Sequence, residues 1–267
     1  MPVGFDHIVI AVKDLDTATR DYTAAGFTVT PGGEHKGGAS ANVLVTFQDG
    51  VYFELIAFRD AQGGNDVWRG ILDRAGEGFV DYALRTNDLD KEVEALRERG
   101  LDALDPQPGG RFRPDGQRID WRNLRFGDDS VPSLPFYCFD ETDRALRVPG
   151  GAASAHPNGV TGVSTVRVVV QDLEASRADY AALTGADGLM LDSWSDTIAA
   201  AMRFPVGTAG AVVELLEPAS GDNHLRAHLD ARGEKPYEVV LTGAPSTGLL
   251  PLPLDETHGA RLVIESR

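Results

Sequence analysis

The chain has 267 residues, enough for one large domain or two ordinary ones with proper cores. Its apolar fraction of 42% and charged fraction of 25% are those of a globular protein. The formal charge of −16 excludes nucleic acid and anionic membranes as partners, because a phosphate surface rewards clustered Lys and Arg.

No apolar run is long enough to span a bilayer, and residues 1–12 read as a strand rather than a signal peptide, so a cytoplasmic location is expected. The single cysteine, Cys138, excludes an intramolecular disulfide and a Cys-based zinc site.

In chain order, residues 5–15 (FDHIVIAVKDL) form an apolar, β-branched run ending in Asp-Leu. A helical pattern over 16–25 follows and stops at Gly26, with Asp14 where an N-cap acceptor is wanted. Strand-like runs come next at 27–30, 41–47 and 51–58, the last two joined by an Asp49-Gly50 hairpin turn.

The order then recurs. Residues 79–89 (FVDYALRTNDL) precede a helix at 90–99 that is capped by Asp88 and stopped by Gly100; late strands follow at 119–126 and 135–139. Between helix and strands, Arg111, Arg113, Arg118, Arg122 and Arg125 form a local basic patch. It suits a small anionic ligand better than a polymer, with solvated strand edges as the alternative.

A third copy starts at 163–173 (VSTVRVVVQDL) and continues through Asp172, a helix at 174–184 and Gly185. Its strands are expected near 188–194, 198–204 and 211–217. A fourth is recognisable because LDARGEKPYEVVLT at 229–242 matches LDRAGEGFVDYALRT at 72–86. It loses its helix in a Pro- and Gly-rich stretch, 243–254, before a last strand at 260–265.

The repeating unit is βαβββ. The small, flexible stretch VPGGAASAHPN at 148–158 marks the boundary. The expected organisation is α+β, with modules paired into two half-barrels, 1–148 and 159–267 joined by a linker at 149–158, helices lying outside curved mixed sheets.

Paired units of this kind resemble the vicinal-oxygen-chelate superfamily, which includes glyoxalase I, extradiol dioxygenases, methylmalonyl-CoA epimerase, and bleomycin- and fosfomycin-resistance proteins. The opening FDHIVIAVKDLD is similar to the start of its members. The runs GFTVTPGG, VYFELIAF, ALRT, RFRPDG, PFYC and HPNG resemble its glyoxalase-like branch over nearly the whole chain. The resemblance implies metal ligands in the first and last strands of paired modules. The first-strand positions are His7, Asp81, Thr165 and Glu238; the last-strand positions are Glu54, Phe139 and Glu214.

His7, Glu54 and Asp81 are thus the metal-site candidates, and one histidine with two carboxylates suits Mn, Fe, Co, Ni, Zn or Mg. Thr165 leaves the second half without the matching histidine. A hydrogen-bonded His7–Glu54 pair with no metal is the equal alternative. Strand alternation places Phe5, His7, Val9 and Ala11 on one face, with Tyr52, Glu54 and Ile56 on one face of the last strand.

Glu54 and His35 are the candidate catalytic groups, as movers of a proton; for His35 a solvated loop position is the alternative. Asn42, Arg85, Arg113 and Trp121 are the candidates for contacting substrate. For Arg85 a structural Asp or Glu partner competes, and for Trp121 a place in the core or pocket wall. Cys138 reads as a buried inert thiol, His156 as linker geometry, and His224 with His228 as a solvated helix face.

Two functions stay open. One is metal-assisted lyase, isomerase or dioxygenase-type chemistry on a small oxygen-rich or anionic molecule; the other is metal-free sequestration of such a molecule. The expected partner is a small molecule, with a homodimer allowed.

Overall fold

The structure, a computed structural model, describes residues 1–35, 37–59, 65–127, 134–192, 195–243 and 249–266. The first module consists of β1 (Gly4–Ala11), α1 (Leu15–Ala24), β2 (Thr30–His35), β3 (Ser40–Thr46) and β4 (Tyr52–Phe58). The connecting helix α2 (Asp66–Ala75) leads to the second: β5 (Gly78–Arg85), α3 (Leu89–Glu98), β6 (Gln107–Phe112), β7 (Arg118–Leu124) and β8 (Phe136–Asp140).

After the one-turn helix α4 (Arg144–Arg147) come β9 (Val160–Val169), α5 (Leu173–Thr184), β10 (Leu189–Leu191), β11 (Ile198–Val206) and β12 (Ala211–Pro218). Helix α6 (His224–Arg232) then leads to β13 (Pro236–Gly243), β14 (Leu249–Pro251) and β15 (Leu262–Ser266). No helix among the described residues is long and apolar enough to cross a membrane.

The helices begin and end where the sequence marks them. Asp14, Asp88 and Asp172 accept from the backbone N–H groups of Thr17, Lys91 and Ala175. Gly26, Gly100 and Gly185 follow with positive φ, as expected of residues that end a helix without a Cβ penalty.

The first two modules close into a barrel of order β1-β4-β3-β2-β6-β7-β8-β5. In it β1 runs parallel to β4 and antiparallel to β5. The second sheet repeats that centre, with β9 parallel to β12 and antiparallel to β13. It stays open, in the order β10-β11-β12-β9-β13-β15-β14, because the fourth module has no helix among its described residues and brings one strand fewer. Residues 244–248 of the expected helix-free stretch, and 193–194 of the strand expected near 188–194, lie outside the described residues.

Alternation along β1 separates two environments. Val9 and Ala11 face the barrel interior with Ile56, Trp68, Val80 and Phe136. Ile8 and Ile10 face outward into a larger core that also contains Val163, Val166, Val168 and Leu241 of the second sheet. Phe5 joins that outer core rather than sharing a face with His7. A shift in the β1–β5 register between Phe5 and His7 is the reason, since one irregularity reverses which face a side chain takes.

Two other expectations are corrected, and one strand is unanticipated. The run at 27–30 does not pair as a strand: Thr28 N–H bonds the His156 Nδ1 at 3.0 Å, and pairing starts at Thr30. Strand β6, QPGGRF, carries no alternating apolar signal. The stretch 149–158 is anchored at two points, with a 3-10 turn at Gly151–Ser154 and the side chains of Ser154 and His156 buried. His156 within it is buried, its Nε2–H donating to the Thr46 carbonyl at 3.0 Å.

Candidate active site

The barrel interior opens into a cleft of about 580 Å³. His7 of β1, His35 of β2, Asn42 of β3, Glu54 of β4 and Trp121 of β7 all line it, so five of the sequence candidates meet in one place. Glu54 is at its centre. Its Oε1 accepts from Asn42 Nδ2 at 2.7 Å and lies 3.3 Å from His35 Nε2, while its Oε2 lies 3.6 Å from His7 Nε2. Burial alone would push this carboxyl up. The hydrogen bond and charge of His35, then the charge of His7 and the bond from Asn42, outweigh burial and hold it at about 2.

His7 is oriented from behind. Its Nδ1 lies 2.6 Å from Asp6 Oδ1, and Tyr52 stacks on its ring at 4.8 Å. Asp6 is fully buried. Against that burial, Arg147, His7 and Arg144 keep its carboxyl well below the usual range. An ionised Asp6 can only accept, so His7 carries its proton on Nδ1 and presents Nε2 to Glu54 and the cleft. Carboxylate-backed imidazoles of this kind are common behind metal-ligating nitrogens.

Asp6 is held in turn by Arg147, whose NH1 and NH2 bond it at 2.8 and 2.9 Å and whose NH1 also bonds Tyr52 Oη at 2.6 Å. Asp140 closes the network, bonded by Arg147 and Arg144. Two arginines and two aspartates give a buried cluster with no net charge.

The glycines of β2 and β6 make room for the walls. A Cβ on Gly109 would lie 2.3 Å from Trp121 Nε1, and one on Gly32 would lie 2.0 Å from Asn42 Oδ1. Trp121 meets the His35 ring edge-on at 6.2 Å.

Three sequence candidates are placed elsewhere. Asp81, expected as a ligand, does not line the cleft: it is buried under Trp68, whose Nε1–H donates to it at 3.0 Å, with Arg125 at 3.3 Å and Lys235 at 3.7 Å. Arg85 is half-buried outside the cleft, where burial and the charge of Arg144 pull its pKa down against Asp6, Asp49 and Asp140. Arg113 leaves the cleft at the β6–β7 turn, where it binds the Leu146 carbonyl at 2.6 Å and Asp115 at 3.2 Å.

The last-strand position of the second module is also reassigned. Val9 pairs Glu54 in the first module and Ala83 pairs Phe136 in the second, so Phe136, not Phe139, is the counterpart of Glu54. In the second sheet the matching carboxylates Glu214 and Glu238 are both engaged by Arg167, which stands at the Val9 position, and Glu214 also by Arg203. Of the remaining histidines, His224 is exposed, whereas His228 sits against Tyr237, burial pushing its imidazole down to about 4.

Among the described residues, the group of potential metal donors whose atoms all lie within 4.8 Å of one another is Asp6, His7 and Cys138. Its chemistry argues against it. Asp6 is already held by Arg147 and Arg144, and burial pushes the Cys138 thiol well up, away from the thiolate a metal needs. The better pair is His7 Nε2 with Glu54 Oε2. Two donors each about 2.1 Å from one tetrahedral ion lie about 3.4 Å apart, close to the 3.6 Å found here. His35 addresses the other carboxylate oxygen.

Comparison with known proteins now decides the family. The model of the family described as "Glyoxalase-like domain" matches residues 5–184. The chain belongs to the glyoxalase-like domain family. A search of curated protein sequences finds no match.

Solved structures share the glyoxalase-like fold at low identity. A hypothetical protein from Staphylococcus aureus superposes with a TM-score of 0.73 at 15% identity, over 98% of this chain and 99% of that one. A mutant 4-hydroxymandelate synthase from Streptomyces coelicolor gives 0.59 at 13%, over 100% and 93%. A xylose isomerase-like TIM barrel/4-hydroxyphenylpyruvate dioxygenase fusion protein gives 0.56 at 13%, over 96% of this chain and 40% of that one. These neighbours share the fold of the chain.

Several lining residues carried no sequence signal. Asp6, which stands behind His7 rather than in the cleft wall, could have been found as its neighbour, and Tyr52 shares the strand face of Glu54. Trp68, Phe136 and Arg147 reach the cleft through tertiary packing alone, whereas Arg111 and Arg125 belong to the basic patch that the sequence marks.

Proposed function

We propose that the barrel cleft is an active site for a small, oxygen-rich or anionic molecule, using metal-assisted lyase, isomerase or dioxygenase-type chemistry. One observation carries the reading: a buried carboxylate, Glu54, is kept ionised between two imidazoles, one of them fixed in its tautomer by a buried aspartate. A divalent ion held by His7 Nε2 and Glu54 would polarise two adjacent substrate oxygens and stabilise a developing oxyanion.

The chain's own groups divide the remaining work. A carboxyl held at about 2 is a poor proton acceptor near neutral pH, so Glu54 acts as a fixed anion rather than as the base. Proton transfer falls to His35, on the opposite oxygen and less buried than His7. Asn42 holds Glu54 in place through its 2.7 Å bond. Trp68, Trp121 and Phe136 give the cleft apolar walls against which a substrate body can lie.

The same lining supports a second reading. Glu54 Oε1 already has Asn42 as a donor and His35 beside it, and aromatic and cationic walls suit a protein that holds a ligand without transforming it.

Metal uptake separates the two readings. Wild-type protein is expected to take up one equivalent of Mn, Fe, Co, Ni or Zn at micromolar concentration. His7→Ala is expected to lose it while keeping the wild-type fold. No uptake by wild type, with His7→Ala destabilised by about 1–3 kcal/mol from the loss of a buried hydrogen-bond partner, would leave the binding protein.

A further inference from the structure

Arg111 is a cationic cleft residue that forms no ion pair among the described residues. It lies on β6, is only 4% exposed, and lines the cleft. Among the described residues its one hydrogen bond is from NH2 to the Arg147 carbonyl at 3.2 Å. No carboxylate lies within ion-pair distance among the described residues, whereas Arg125, Arg144 and Arg147 each have one. A guanidinium has five N–H donors, so most of Arg111's are unused.

Burial pulls its pKa down, and the positive charges of Arg147 and Arg113 act the same way, against Tyr52 and Glu54. A buried cation in this state is costly unless a ligand supplies the missing acceptors. Its position is also informative. Arg111 is directly paired with His35 across the β2–β6 ladder, so the two side chains stand side by side on the same face. Whatever anionic group sits on Arg111 has its neighbouring atoms beside His35.

We propose that Arg111 is a carboxylate-recognition residue, and that the cleft takes an organic carboxylate whose reacting atoms adjoin the carboxylate and whose apolar body lies against Trp121, Trp68 and Phe136. A planar carboxylate matches the guanidinium fork in two parallel hydrogen bonds. The volume of about 580 Å³ leaves room for an aromatic-sized body beyond it. This assignment rests on the reading of the cleft as a ligand site, but not on a metal or on any proton transfer.

The test uses full-length, chelator-treated protein, so that no ion contributes to anion binding. Phenylacetate and its neutral isostere phenylacetamide are titrated calorimetrically, with inorganic phosphate as competitor. The acid is expected to bind ~tenfold or more tighter than the amide, phosphate is expected to compete poorly, and Arg111→Met is expected to erase the difference, with Arg111→Lys restoring part of it. Because its guanidinium is unpaired, Arg111→Met is also expected to melt no lower than wild type without ligand.

Equal binding of acid and amide, a preference that survives Arg111→Met, or no binding of phenylacetate at millimolar concentration would overturn the proposal. Phosphate competing as well as phenylacetate, or an Arg111→Met protein less stable than wild type, would also overturn it, the first showing a general oxyanion site and the second a structural guanidinium. Acid preference without metal uptake would sink the proposed chemistry and leave Arg111's role standing.

Discussion

Glu54 shows how environment sets the chemistry of a single side chain. Burial raises a carboxyl's pKa, but His35, His7 and Asn42 together bring this one from 4.5 to about 2. The group's folded value is below its unfolded one, so its contribution to stability is present above about 4.5 and is lost as pH falls toward 2. Glu54→Gln removes that dependence. Between pH 5 and pH 2, wild type is expected to lose up to about 3 kcal/mol more than the variant in urea unfolding. Parallel loss in both proteins would show that Glu54 is not held in this way.

Arg147 gives a harsher test at the same scale. Arg147→Met leaves the buried Asp6 and the partly exposed Asp140 with Arg144 as their remaining arginine and is expected to cost about 3–5 kcal/mol. A loss below about 1 kcal/mol would contradict the neutral-cluster account. His7, Glu54, His35, Asn42 and Trp121 were legible in the sequence because each is a polar or aromatic residue set in a patterned strand or glycine turn. Arg147 was not, because it belongs to a stretch with no period, and nothing local records that a one-turn helix carries it under β1.

At the scale of elements, register decides most of what the cleft contains. Asp81 occupies the first-strand position that the repeat assigns it, yet Trp68 of α2 covers it and Arg125 and Lys235 hold it. A repeat in sequence transmits backbone position, not the helix packed above it. Likewise, Phe5 is turned out of the barrel by a register shift that alternation alone does not anticipate.

Strand β6 escaped notice because its two glycines contribute no side-chain pattern; they are there to let Trp121 and Asp120 approach. Gly109→Ala is therefore expected to displace Trp121 and cost about 1–3 kcal/mol, with a changed tryptophan fluorescence spectrum. An unchanged spectrum and stability would mean that β6 has room the structure does not show.

Over the whole molecule, the helix-glycine repeat revealed three modules and the match of 229–242 to 72–86 the fourth, and together they gave the α+β class. The closure of the first pair into a full barrel was not legible, since it depends on β2 meeting β6, a contact between loops of weak pattern. The two sheets also share one core, with Ile8, Ile10, Tyr82 and Leu84 packed among Val163, Val166, Val168 and Leu241. Cross-links reinforce it: Val163 N–H to Asp49 at 2.8 Å, and the Tyr82 and Tyr180 hydroxyls at 3.1 Å.

A fragment of residues 1–158 is accordingly expected to lack a cooperative urea transition and to bind a hydrophobic dye. A cooperative transition at the wild-type midpoint would show that the barrel's outer face needs no cover.

The central claim is that Asp6 fixes the proton of His7 on Nδ1, so that Nε2 faces Glu54 and the cleft as a free donor to an ion. The most direct measurement is the nitrogen-15 spectrum of the His7 imidazole above neutral pH, recorded before and after addition of zinc. The account predicts a protonated Nδ1, a bare Nε2, and a shift of the Nε2 resonance alone as one equivalent of zinc is taken up. A proton on Nε2 at the start, or an Nε2 resonance that zinc leaves unmoved, would contradict it.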